Sequence, residues 1–174
     1  MPFPFSLDDL LAYSDWDRAQ WRDWFLGKGP GALAVSLGPN TDGRFSTVGE
    51  LIRHIFSAEQ RYVERVLRLP LTDTSVVPAD DVEALFHFGQ ESRRALRGLL
   101  ATTPDTEWDA PRDMQIGKQA LKVTARAMII RTTTHELRHW AQIATLLRLA
   151  GHGVGAHDYI ISPLSVRQGH QPPT

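Results

Sequence analysis

HELRHWAQIATLLRLAG, residues 135–151, sets two histidines four residues apart. On a helix, positions i and i+4 share a face, one above the other. At about 100° per residue, His139 falls about 40° from His135, and Leu146, Ala150 and Ile143 fall within about 80° of it. Upstream, Met128 and Thr132 belong to the same side. The pair therefore lies inside the apolar stripe. A buried imidazole needs partners for both ring nitrogens, because an unpaired polar group in a core costs about 1–3 kcal/mol. For two imidazoles stacked on one buried face, a metal ion is the most economical partner.

Two histidines make an incomplete site. Catalytic zinc-type centres take three protein ligands and leave a position open. The third ligand is expected from another inward-facing helix, and His54 fits. It lies in VGELIRHIFSAEQRYVERVL, residues 48–67, at the edge of a stripe formed by Leu51, Ile55, Ala58 and Tyr62. The candidate metal ligands are thus His54, His135 and His139.

The chain has 174 residues, 42% hydrophobic and 22% charged, which suits one domain with a real core. We therefore expect a single domain over residues 1–174, with a flexible tail from about 163. The formal net charge is −1 and the pI near 6.6. A duplex-binding protein carries a basic surplus, so no nucleic-acid partner is expected. No apolar run reaches the length of a membrane span. The start, MPFPFSLDDLL, has no basic region followed by an apolar block, so the expectation is a cytoplasmic protein. Cysteine is absent. That excludes disulfides, thiolate ligands and a cysteine nucleophile.

Read in order, the chain shows four amphipathic segments and no convincing strand ladder, which predicts an all-α four-helix bundle with long inter-helix connections. Helix one starts at Ser6, whose hydroxyl and Asp9 form a capping-box variant, and Gly27 is expected to stop it. Its aromatic load reads as core packing. Residues 27–46 read as loop, with a short extended piece at ALAVSLG. Helix two starts with a capping box at Thr47 and Glu50 and ends before Pro70. Glu59 is expected to pair with Arg61 or Arg65 in solvent, or else to reach helix four. Residues 70–80 are a linker, and Asp80 or Asp81 caps helix three, which runs to about Ala101. His87 reads as a surface residue. Arg93, Arg94 and Arg97 read as a solvated face; anchoring an acidic cosubstrate is their functional alternative. Residues 102–123 read as irregular. Thr124 caps the last helix, which ends at Ala150 with Gly151 beyond. The second and third connections are long enough for one to be a crossover placing neighbouring helices parallel. In the tail, Tyr159, Ile160 and Ile161 are expected to fold back on the bundle. His152, His157 and His170 fall outside the periodicity; His157 with Asp158 forms a candidate outer-shell pair.

With LIRHIFSAEQ in the second helix and HELRHWAQIATLLRLAG in the fourth, the chain resembles the DinB/YfiT-like family of damage-inducible four-helix metalloproteins over nearly its whole length. The family pattern is an inward histidine on the second helix and an H-x3-H pair followed by glutamine on the last. Carried over, it implies His54, His135 and His139 as ligands of one divalent ion (zinc, nickel or iron), with Gln142 as the family glutamine. Trp140-Ala141 stands where many members have Arg-Gly, a departure expected to alter the helix surface. The resemblance also implies a homodimer, which the aromatic surplus of helix one would serve. Some relatives are S-transferases using bacillithiol or mycothiol; others are called hydrolases or isomerases.

Two functions follow. The first is a metal-dependent enzyme, a low-molecular-weight-thiol S-transferase or hydrolase acting on a small electrophilic substrate. Without cysteine, the attacking thiol must come from a cosubstrate. The second is a non-enzymatic, metal-stabilised stress-response bundle acting as a binding or scaffold protein, in which metal binding is folding free energy. No catalytic general base is placed by the sequence; Glu59 and Asp158 are candidates only.

Overall fold

The computed structural model describes residues 6–38, 44–116 and 118–165. His170 and most of the expected flexible tail lie outside these residues. Helix α1 spans Leu7–Lys28, α2 Val48–Leu67, α3 Val82–Thr102 and α4 Ala125–Leu149.

Side-chain caps start the helices. The Ser6 hydroxyl accepts from the Asp9 amide at 3.1 Å and the Asp9 carboxylate accepts from the Ser6 amide at 2.9 Å, a reciprocal box. Helix α1 runs through Gly27 and stops at Lys28, where Gly29 takes φ 76°. A single glycine tolerates a helix interior; the positive φ is what ends it. Thr47 caps α2 through the Glu50 amide at 3.3 Å, but the Glu50 carboxylate takes the Ser46 amide instead of closing the box on Thr47. Asp81 caps α3 and Thr124 caps α4.

Inter-helix contacts give the directions. Along α1 and α3, Arg22 meets Glu83, Arg18 meets the Gly89 carbonyl and Asp15 meets Arg97, so the two are antiparallel. Phe56 packs on Phe86 and Glu59 bonds Arg93; one turn further, Tyr62 and Val66 share a cluster with Leu96 and Leu99. Helices α2 and α3 therefore run parallel. Their connection must return along the bundle, and its contacts trace that path. Thr72 bonds Glu64, Thr74 bonds Arg61, and Arg53 donates to the carbonyls of Ser75 and Val77. The path closes on Gly49, where an added Cβ would lie 1.9 Å from the Ala79 carbonyl oxygen. The expected crossover is thus the second connection.

The third connection is not irregular. Strands β1, Pro111–Ile116, and β2, Gln119–Thr124, pair antiparallel from Pro111↔Thr124 to Ile116↔Gln119. Among the described side chains of the hairpin only Met114 is buried, so the apolar alternation that announces a strand is nearly absent. Arg112 ties the hairpin to α2 through the Val66 carbonyl at 2.8 Å.

The core has two apolar layers. One gathers Trp21, Phe25, Ile52, Phe56, Phe86 and Trp140; the other gathers Leu11, Val63, Leu96, Met128 and Ile129. Between them lies a polar layer of Arg18, Glu59, Arg93 and Glu136, all buried. Arg93 and Glu59 are therefore not solvent-facing. The Glu59 carboxylate accepts from Arg18, Arg93 and Ser92, on α1 and α3 rather than α4. Arg94 and Arg97 are exposed and His87 is 74% exposed at its side chain, as expected. Helix-one aromatics are used within the chain: Trp21 and Phe25 are buried, and Trp24 donates to the Gly153 carbonyl. They supply no separate reason for a dimer.

In the tail, Tyr159 packs against Tyr13, whose hydroxyl donates to the His157 carbonyl at 2.5 Å. Ile160 and Ile161 stay exposed, contrary to the expectation that they fold inward. No helix among the described residues is long and apolar enough to cross a membrane.

Removing one partner of a buried charge pair leaves the other uncompensated. Glu59→Ala is expected to lower the unfolding free energy by about 3–5 kcal/mol, and Arg94→Ala by less than about 0.5 kcal/mol, both read by urea denaturation. A Glu59→Ala loss no larger than that of Arg94→Ala would show that the polar layer does not hold the bundle together.

Candidate metal centre

Helix α2 supplies His54, and α4 supplies His135 and His139 one turn apart. His135 and His139 are buried, and His54 is half-buried with the Phe45 ring 4.4 Å from its own. The three rings turn their Nε2 atoms toward a common point. His135 Nε2 is 3.1 Å from that of His54 and 3.0 Å from that of His139. One ligand atom from each residue lies within 4.8 Å of the others.

Ligand nitrogens about 2.1 Å from one ion lie about 3.0 Å apart at a right angle and about 3.4 Å apart at the tetrahedral angle. The two spacings to His135 fit ligands on one ion. The three atoms span up to 4.8 Å, so a shift of a few tenths of an ångström brings all three within the about 4.2 Å that one ion can bridge. Gln142 adds orientation, its Oε1 lying 2.5 Å from His139 Nδ1. Accepting there, the amide puts the His139 proton on Nδ1 and leaves the Nε2 lone pair facing inward. His135 Nδ1 is buried with no partner among the described residues. Three imidazoles with no thiolate or carboxylate suit a borderline-soft divalent ion such as zinc, nickel or iron rather than magnesium or calcium.

Burial is the first cause that keeps these imidazoles neutral. It pushes His54 down to about 4, helped by His139 and by Arg44, Arg131 and Arg61. It pushes His135 down to about 3, helped by His139, Arg131, His54 and Arg138. His139 is also lowered by burial; the Gln142 bond opposes this, and Arg138, Arg131 and Arg44 add to it. Neutral imidazole is the form that binds metal.

A cavity of about 720 Å³ opens beside His139 and Gln142, walled by Leu37, Phe45, Leu51, Arg44, Arg138 and Leu146. Neither expected carboxylate candidate lines it. Glu59 belongs to the polar layer, and Asp158 caps the turn Tyr159–Ile161 through the Ile160 amide. His157 is not paired with Asp158. Its Nδ1 lies 2.6 Å from Asp17 and its ring stacks 4.0 Å from Trp21, so its contacts go to α1 rather than to the three histidines. Trp140 is inside, not on the surface. It stacks on Trp21 with centroids 5.2 Å apart and donates to Glu136 at 3.2 Å. Ala141 joins the cavity wall. Arg44, Phe45 and Leu37 come from the loop before α2, which carries no periodic signal. Arg138 was legible only as the residue beside a candidate ligand.

A parallel pair of central helices, an overhand connection and three inward histidines on α2 and α4 define a class of four-helix bundle with a site compatible with metal. The family model described as the DinB superfamily matches residues 9–143, and the chain belongs to that superfamily. No curated protein matches it.

In metal-free protein, proton NMR is expected to find the His54 ring titrating near pH 4 and the His135 ring near pH 3. The unfolded chain titrates near 6.5. Folded-state values below that mean that metal-free stability falls as pH drops through 6.5 toward 3, because the unfolded state takes up the protons. Ring titrations near 6.5 in the folded protein would contradict this burial.

Proposed function

We propose that the protein is a divalent-metal-dependent enzyme whose ligands are His54, His135 and His139, and that it transfers a low-molecular-weight thiol to a small electrophile or hydrolyses such a substrate. The observation that carries this reading is the convergence of three Nε2 atoms, with His139 on the wall of an open cavity. A purely structural ion needs no such opening, which favours the enzyme over the scaffold reading.

When bound, a divalent ion supplies positive charge that makes a water or thiol acidic near neutral pH. The chain's own residues prepare its place. His54, His135 and His139 hold neutral donors, and Gln142 fixes the His139 tautomer. Arg44 and Arg138 on the cavity wall favour an anionic nucleophile such as a thiolate. Leu37, Phe45 and Leu51 keep one side of the cavity apolar. In the transfer, the thiolate sulfur forms the bond to the electrophilic carbon. The leaving group departs with its electron pair, and the thiol proton passes to water.

Elemental analysis of protein purified without chelator is expected to find about one zinc, nickel or iron per chain, lost in His54→Ala and His139→Ala. Bacillithiol and mycothiol, screened against electrophiles, are expected to turn over above the His54→Ala background. Wild-type protein that cannot be loaded would refute the metal site. Full loading with no turnover of thiol or ester substrates would return the protein to the scaffold reading.

A further inference from the structure

The cavity beside the histidines differs in charge from the others between the elements of the bundle. Four other cavities each carry at least one aspartate, among them Asp15, Asp17, Asp80 and Asp113. Among the described residues, the histidine cavity has no carboxylate on its wall and two guanidiniums, Arg44 and Arg138. The buried Arg18 and Arg93, which border a cavity of about 320 Å³, are committed within the core. Each guanidinium has five N–H donors. Those of Arg18 go to Glu59, Glu136 and the Gly89 carbonyl. Those of Arg93 go to Glu59, Asp15, Ser14, Glu136 and the Leu11 carbonyl. Arg138 is exposed on α4, one residue before His139, and no hydrogen bond or ion pair among the described residues engages it.

Beside the two guanidiniums, His139, Gln142 and Thr145 are polar, and the remaining described wall is apolar. Leu37, Phe45, Leu51 and Leu146 face the same space. Its volume of about 720 Å³ lies within the usual range for small-molecule sites, about 300–1,000 Å³. Such sites combine an apolar lining with a few polar groups that fix orientation. Here those groups include two guanidiniums, and a guanidinium matches a carboxylate in a bidentate fork.

We propose that this cavity binds a small organic acid with an apolar body, Arg138 holding the carboxylate with Arg44 beside it and the four apolar side chains packing the body. The proposal names the substrate class of the enzyme proposed above and rests on that reading for its catalytic meaning. Binding of the acid itself needs no ion. A thiol cosubstrate or electrophile that carries a carboxylate would then be held by the arginines, leaving its reactive atom toward the histidines.

The test compares 4-phenylbutyrate with its uncharged amide, 4-phenylbutanamide, by isothermal titration at low ionic strength. Chelator-treated and zinc-loaded full-length protein are titrated side by side. Chelator-treated wild type is expected to prefer the acid by about tenfold or more. Arg138→Gln is expected to reduce that preference to about twofold or less with unchanged zinc content, and Arg94→Gln to leave it intact. Equal binding of acid and amide, or no binding of either at millimolar concentration, overturns the proposal. So does an acid preference that appears only with zinc and survives in Arg138→Gln, since the carboxylate is then a ligand of the ion. Wild type that takes up no zinc yet keeps an Arg138-dependent acid preference refutes the metal reading and leaves the acid site standing.

Discussion

The bundle depends on two guanidiniums and two carboxylates that meet in its middle. Arg18 from α1, Glu59 from α2, Arg93 from α3 and Glu136 from α4 form a layer in which every helix contributes a charge. Burial alone would raise the Glu136 carboxyl; the Arg18 and Arg93 guanidiniums and the Ser14 hydroxyl outweigh it and hold it at about 2. Taking ions out of water is costly, and the attraction between them repays this only when the geometry is good and the remaining donors are engaged. Here they are: the Ser14 hydroxyl and the Gly89 and Leu11 carbonyls accept guanidinium protons that the carboxylates leave, and the Ser14 and Ser92 hydroxyls donate to the carboxylates. Such a layer is weak evidence for stability, but it specifies register, because sliding one helix by a turn would strand a charge in an apolar layer.

That register sets the level of the histidines. Glu136 follows His135 directly, and Glu59 lies little more than a turn beyond His54. With the carboxylates committed to the arginines of α1 and α3, the imidazoles of α2 and α4 are left facing one another on the other side of the layer. The two sides differ in electrostatics. The layer contains two positive and two negative charges. Burial lowers the histidines most, the neighbouring imidazoles add to this for His54 and His135, and the further charges that lower them are cationic, from Arg44, Arg61, Arg131 and Arg138. Among the described residues, the wall of the histidine cavity carries none of the carboxylates that compensate charge in the core.

Much of this was legible in the chain because the signals are local. The caps at Ser6, Thr47, Asp81 and Thr124 are short-range hydrogen bonds written in adjacent residues. His135 and His139 are one turn apart on a helix that the apolar period already defines. His54 needed the inference that two helix faces meet, which the bundle and the family pattern both supplied. What stayed hidden depends on partners distant in sequence. Arg93 and Glu59 look like solvated charges until Arg18 and Glu136 are beside them. Trp140 looks like a surface departure until Trp21 stacks on it. The hairpin, Pro111–Ile116 with Gln119–Thr124, buries too little apolar surface to leave an alternation. The cavity wall draws Leu37, Arg44 and Phe45 from a loop with no period to read.

The central claim, that three imidazoles from α2 and α4 form one metal centre, is tested most directly by anomalous diffraction from crystals of zinc-loaded protein. The account predicts one anomalous peak per chain, about 2.1 Å from Nε2 of each of His54, His135 and His139. A peak held by other side chains, or loaded crystals with no peak among these three rings, would contradict it.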